Sequence, residues 1–229
     1  MKFSWQDLTT LGTTHHAEQK NTLSRPGCLS LRCGMSESPK TGHLCQIKVT
    51  LKWSKPPIWR RILVPGNLSL EGLHFVIQTA MGWTNSHLHD FVTGPQPGAT
   101  IYGMLDPEDT WSTRNILDER RYKVTDLLER DQARALYEYD FGDGWLHELL
   151  REKTLPPDPG FRYPVCLAGR GDCPPEDCGG IYGYYRLLEI LADPKHEEYR
   201  DMREWAGGWL QHGRFDRRET NEILRSLRA

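Results

Sequence analysis

No apolar run in this chain of 229 residues approaches the roughly 20 needed to cross a bilayer. The opening residues also lack the apolar core of a secretory signal, so neither a helical membrane protein nor an exported one is expected. We read the chain as a cytoplasmic protein with no membrane partner. A basic excess is missing too: 29 Lys and Arg stand against 31 Asp and Glu, a net charge of -2. That excludes nucleic-acid binding by overall charge and leaves only a local patch as a route to phosphates. Six cysteines in a chain of this length, without a leader, do not make a disulfide framework and are read as reduced thiols. No internal repeat is evident. No glycine-rich phosphate loop accompanies Asp140-Phe141-Gly142, so that string is not a kinase signature.

What remains is a soluble globular composition, 38% hydrophobic and 26% charged, long enough for one sizeable core with a tail. Its most informative stretch is Tyr137 to Glu148. Apolar and aromatic residues alternate into Gly142-Asp143-Gly144 and out again, the period-2 pattern of a β-hairpin. Asp140, Asp143, His147 and Glu148 crowd this corner and make it the first place to look for a site.

Residues 1–43 are rich in Thr, Ser, His, Gly and Pro without sustained periodicity, and a poorly ordered extension is expected there. Met35, followed by Ser-Glu-Ser-Pro-Lys, reads as an alternative start, and Cys28, Cys33, His15 and His16 fall in this extension rather than in a metal site. Residues 44–229 form the expected single domain. Ile47, Val49, Leu51 and Trp53 share one face of a first strand; Ser54-Lys55-Pro56-Pro57 turns the chain, and residues 58–65 return. Lys48, Lys52, Lys55, Arg60 and Arg61 are placed on the outer face of this hairpin, where they can meet phosphates or simply face solvent.

Ser69 caps a helix ending at Gly82, with Leu70, Leu73, Ile77 and Met81 on one side. Residues 87–92 and 99–103 read as strands, 104–123 as a surface loop, and 125–129 as a short helix. Later helices are predicted over residues 182–191 and 196–206, the second ending at Gly207-Gly208, and a last one is capped by Asp216. Strands first and helices last argue for an α+β fold: an antiparallel or mixed sheet built from hairpins, with helices packed on it and a helical C-terminal segment.

A strand over residues 87–92 puts His87 and His89 on one side, a spacing at which two imidazoles grip one ion. Joined by Asp143, they form the expected metal site. Asp140, Asp143 and His147 are the candidate catalytic groups, with a carboxylate activating water at a bound zinc, manganese or iron ion. The alternative for each is structural, because Asp143 between two glycines is also what a tight turn requires. The Cys173 to Cys178 spacing is too wide for half a zinc knuckle, and Glu176 and Asp177 suit the start of the following helix.

Four stretches resemble one known family. They are Lys55-Pro56-Pro57-Ile58-Trp59-Arg60-Arg61, Ala80-Met81-Gly82-Trp83 with Ser86-His87-Leu88-His89, Tyr139 to Trp145, and Cys173-Pro174-Pro175-Glu176-Asp177-Cys178-Gly179-Gly180. In this order they resemble the plasmid pRiA-type ORF-3-like proteins, among them TnpR-labelled passengers of insertion sequences, across about residues 44 to 225. Leu146 departs from the acidic residue usual at that place. The resemblance implies an α+β domain found in plasmid, transposon and chromosomal settings. It implies no reaction, and no serine-recombinase pattern is present.

The reading that follows is a non-enzymatic binding module engaging nucleic acid or a protein partner, with no cofactor beyond a divalent metal. Its surface is formed by loops around residues 87–91, 140–147 and 173–180, and Arg60, Arg61, Trp83, Trp145, Glu176 and Asp177 are its candidate binding residues. The alternative is a metal-dependent hydrolase or nuclease at the His/Asp site.

Overall fold

A computed structural model describes residues 42–95, 97–105 and 115–227; the expected extension therefore lies outside the described residues apart from its last two. Among the described residues eight strands form one sheet, in the order β5-β4-β3-β6-β7-β1-β2-β8. They are β1 (Leu44–Leu51), β2 (Trp59–Pro65), β3 (His89–Thr93), β4 (Thr100–Gly103), β5 (Ile116–Asp118), β6 (Arg134–Tyr139), β7 (Trp145–Leu155) and β8 (Val165–Arg170). Every neighbouring pair is antiparallel except β4 with β5, so the sheet is mixed.

The Tyr137–Glu148 hairpin lies mid-sheet, with β3 on one side and β1 on the other. Its last pair, Tyr139 with Trp145, sets the corner at one end of the sheet. Two other connections reach that end. Asp140 N–H donates to Leu88 O and Lys52 N–H donates to Leu146 O, each at 2.9 Å. Trp53 does not continue β1: it turns with φ 63° and is 61% exposed.

Helix α1 (Leu70–Met81) forms where its cap and spacing predict. Ser69 Oγ accepts from Gly72 N–H, and Gly82 closes the helix at φ 103°, a conformation that glycine adopts without a Cβ penalty. Leu70, Leu73 and Ile77 are fully buried against the sheet face bearing Ile47, Ile62, Val64, Phe91, Tyr137 and Leu149. Each such side chain contributes about 2 kcal/mol by leaving water. Helix α6 (Arg217–Ser226), capped by Asp216, adds Leu224 to the same core. The opposite sheet face carries half-buried Lys48, Arg61, Leu63, Leu150 and Glu152.

Three local expectations change. Part of the predicted 104–123 loop is regular, namely β5 and a 3-10 turn over Glu119–Arg121, while residues 106–114 lie outside the described residues. Helix α2 (Val124–Leu127) follows at once. Gly207 does not end a helix but opens one: α4 (Tyr199–Trp205) gives way at Ala206 to α5 (Gly207–His212). Helix α3 (Gly180–Ala192) begins two residues earlier than predicted. Among the described residues no helix is long and apolar enough to cross a membrane.

Candidate functional site

Asp140 makes the corner of the central hairpin. Its backbone is left-handed (φ 58°), and its Oδ1 accepts from the N–H of Gly142 at 2.9 Å and of Asp143 at 3.3 Å. A short polar side chain bonding its own turn is what permits a non-glycine residue there. Oδ2 is left to face the loop that precedes β3, where His87 Nε2 stands 3.6 Å away. Asp177, also left-handed (φ 60°), places Oδ1 3.1 Å from the same nitrogen. Donor atoms of His87, Asp140 and Asp177 all lie within 4.8 Å of one another.

Tyr139 and Glu176 hold this arrangement together. Tyr139 O–H donates to Glu176 Oε1 and accepts from Ser86 N–H, while the ring of Tyr139 meets His87 edge-on at 5.8 Å. Glu176 Oε2 accepts from both the N–H and the hydroxyl of Thr84. Burial and the Glu176 carboxylate raise the Tyr139 phenol well above its usual range, so it remains a proton donor to Glu176. Trp83 Nε1 donates to Pro174 O at 3.1 Å and pins the β8–α3 loop from below.

His87 and His89 do not share a strand face, because β3 begins only at His89. His89 is buried with Phe91; its Nε2 donates to Glu119 Oε2 at 2.8 Å, and its ring stacks on His74 at 3.5 Å and 7°. Asp143 is also diverted. Its Oδ2 accepts from Gly179 N–H at 3.2 Å, tying the start of α3 to the hairpin. Gly180, at φ 66°, passes so close that a Cβ would sit 2.2 Å from Asp143 O. His147 lies in the core against Trp83, and burial lowers its pKa to about 4.

Among the expected binding residues, Trp83 and Trp145 are core residues, 8% and 1% exposed. Arg60 corrects the outer-face expectation: it is 0% exposed. Alternation along β2 sends it inward with Ile62 and Val64, while Arg61 points outward. Arg60 Nε donates to Ala80 O, near the end of α1, and Nη1 donates to the carbonyls of Trp59, Arg170 and Gly171. Its guanidinium lies 3.8 Å from the Phe215 ring centre. Burial lowers its pKa. Arg61 is held by Glu152 through two bonds of 2.6 and 2.7 Å.

A buried network behind the site was not anticipated from the sequence. His74 Nε2 donates to Asn85 Oδ1 at 2.6 Å, and Tyr137 O–H donates to His74 Nδ1 at 2.8 Å. Gln78 Nε2 donates to Tyr137 OH, and Gln78 Oε1 accepts from Asn85 N–H. This fixes the imidazole tautomer and holds Asn85, itself left-handed (φ 59°), two residues before His87. Burial lowers the His74 pKa to about 3. The available signal was a pair of polar residues, His74 and Gln78, four apart on the apolar side of α1.

The sheet end thus joins one imidazole to the carboxylates of Asp140, Asp143, Glu176 and Asp177. Around it Leu88, Phe141 and Tyr182 are 59%, 46% and 87% exposed. The site can bind a cation, with an imidazole nitrogen and two carboxylate oxygens within reach of one point.

A protein of unknown function from Methanosarcina mazei Go1, MM3350, has a crystal structure that superposes with a TM-score of 0.67 at 38% identity, covering 78% of this chain and 98% of that one. The uncharacterized protein y4hQ of Sinorhizobium fredii (strain NBRC 101917 / NGR234) is 41% identical over 163 residues, 71% of this chain and 80% of its own. The family described as "Plasmid pRiA4b ORF-3-like protein" matches residues 43–222, which include both strands of the central hairpin and all three residues that meet at its corner. The chain belongs to the plasmid pRiA4b ORF-3-like family.

Proposed function

We propose that this protein is a non-enzymatic binding module whose working surface is the sheet end formed by loops 83–88, 140–144 and 173–180. The partner we infer is a protein segment that presents Lys or Arg beside an apolar side chain. One observation carries this reading: exposed apolar residues border the acidic group in the chain, Leu88 next to His87, Phe141 next to Asp140, and Tyr182 in the first turn of the helix that follows Glu176 and Asp177. Isolated exposed apolar residues are ordinary, but their grouping around charged, backbone-constrained residues favours a recognition surface.

Charge favours protein over nucleic acid as the partner. Phosphates would approach carboxylates here, and on the outer sheet face Arg61 is already taken by Glu152 and Arg134 by Glu148. The test is a random-peptide display selection on the full chain in EDTA, counter-screened on Leu88→Ser/Phe141→Ser/Tyr182→Ser. Enriched peptides should pair a basic with an apolar residue, weaken with salt and bind the triple variant at least about tenfold less. Equal binding to the triple variant would overturn the proposal. Tight anisotropy-detected binding of single-stranded DNA would instead transfer the surface to nucleic acid.

A metal-dependent hydrolase is the second reading, favoured by the position of His87 Nε2 between two carboxylates. Manganese-dependent cleavage of bis(p-nitrophenyl) phosphate, abolished by Asp140→Asn, would establish it.

A further inference from the structure

We propose that His87, Asp140 and Asp177 bind one divalent transition-metal ion, of the zinc or manganese class. This deepens the reading of the sheet end as the working surface by naming a ligand held there. The ligand set differs from that expected from the sequence, with Asp140 and Asp177 in place of His89 and Asp143.

Spacing is the first support. An ion bound at 2.0–2.1 Å in tetrahedral geometry holds its ligand atoms about 3.3 Å apart. His87 Nε2 lies 3.1 Å from Asp177 Oδ1 and 3.6 Å from Asp140 Oδ2.

An unclaimed ligand atom is the second support. His87 Nε2 is buried and makes no hydrogen bond among the described residues, although carboxylate oxygens of Asp177 and Asp140 lie 3.1 and 3.6 Å away. A divalent ion beside these oxygens would take up the nitrogen lone pair that the protein leaves unused.

Preorganisation is the third support. Asp140 and Asp177 both occupy left-handed backbone, a strained state for non-glycine residues that clusters at functional sites. Asp140 Oδ1 is fixed by two backbone N–H groups, so only Oδ2 turns toward His87. Ser86, the residue before His87, is held by Tyr139 OH. Such outer bonds set the orientation of ligands that touch the ion.

One imidazole with two carboxylates selects zinc, manganese, iron or cobalt over calcium and magnesium, which prefer oxygen alone. Three protein ligands leave at least one coordination position, and Asp177, with 71% of its side chain exposed, lies on the solvent side. Water can take that position.

The experiment is a cobalt titration of EDTA-stripped full chain, read by visible absorption and calorimetry. Expected is one cobalt per chain without the thiolate charge-transfer band that Cys173 or Cys178 would give. Zinc should displace it, and affinity should fall at least about 30-fold in His87→Ala and in Asp177→Asn, but not in His89→Gln. Circular dichroism on each variant separates a lost ligand from a lost fold. No uptake, thiolate ligation, or uptake unchanged by His87→Ala and Asp177→Asn would overturn the metal site. Because the peptide selection runs in EDTA, its outcome is independent of this one.

Discussion

Lowering pH should destabilise this protein before its carboxylates titrate, through two histidines that the core keeps neutral. Burial takes His74 from the usual 6.5 to about 3 and His147 to about 4. The His89 ring stacked on His74, and Arg60 near His147, also oppose a second positive charge. In the unfolded chain both imidazoles bind a proton near 6.5, so acid favours unfolding. The stability they provide is complete above that value, is lost as pH falls through it, and stops falling only near the folded values. Between about pH 7.5 and 5 each contributes a loss of about 2 kcal/mol, or about 4 kcal/mol together. That is a large share of the 5–15 kcal/mol typical of a domain.

Urea unfolding followed by tryptophan fluorescence at several values in that range measures the slope. Carboxylates whose pKa is lowered by pairing or hydrogen bonding, such as Asp118 and Glu152, have ordinary values of 3.8 and 4.5 and contribute mainly below the window. His147→Leu should remove about half of the dependence, since Leu has no proton to take up. A flat profile in the native protein, or the same slope in His147→Leu, would refute the assignment of acid sensitivity to these rings.

The two neighbouring arginines of β2 should separate cleanly in the same assay. Arg60→Met strips one buried and three partly buried carbonyls of this donor and is expected to destabilise by about 3 kcal/mol. Arg61→Ala, which breaks a partly exposed pair, should cost about 1 kcal/mol or less. Gly180→Ala places a Cβ 2.2 Å from Asp143 O in a left-handed conformation, and should lower the melting temperature by several degrees and shift amide resonances at the hairpin corner. Tyr139→Phe removes the bond to Glu176, and faster hydrogen exchange over residues 84–88 is the expected sign of a loosened loop.

Local signals carried much of the fold. Helix α1 was legible because its first and last residues announce themselves, Ser69 as a side-chain acceptor and Gly82 as a left-handed stop. The central hairpin was legible for the same reason, its alternation and turn chemistry agreeing. The inward course of Arg60 was implied by the alternation that buries Ile62 and Val64, but a charged residue is expected outside unless its partners are known. Those partners are carbonyls of Ala80, Arg170 and Gly171, distant in sequence.

The candidate site was half legible. Its hairpin corner was found, and His87 with it. The sequence also places Asp177 among the binding residues of that surface, but not as a partner of His87, because nothing local says that a loop some 37 residues further on brings this carboxylate to the same nitrogen as Asp140. The pairing of His89 with Glu119 was hidden likewise, in a segment whose three-residue strand is too short to show periodicity.

Asn85, Asp140 and Asp177 adopt φ of 59°, 58° and 60°, conformations that branched side chains resist. Asp, Asn and Gly are the residues that take up these corners most readily, and they share a shape tolerance but differ in charge. Chemistry and architecture are thereby uncoupled. A homologue with Asn at the place of Asp140 keeps its turn while losing an anion, so reading those three letters across relatives sorts which of them retain the site's charge without any structure being determined.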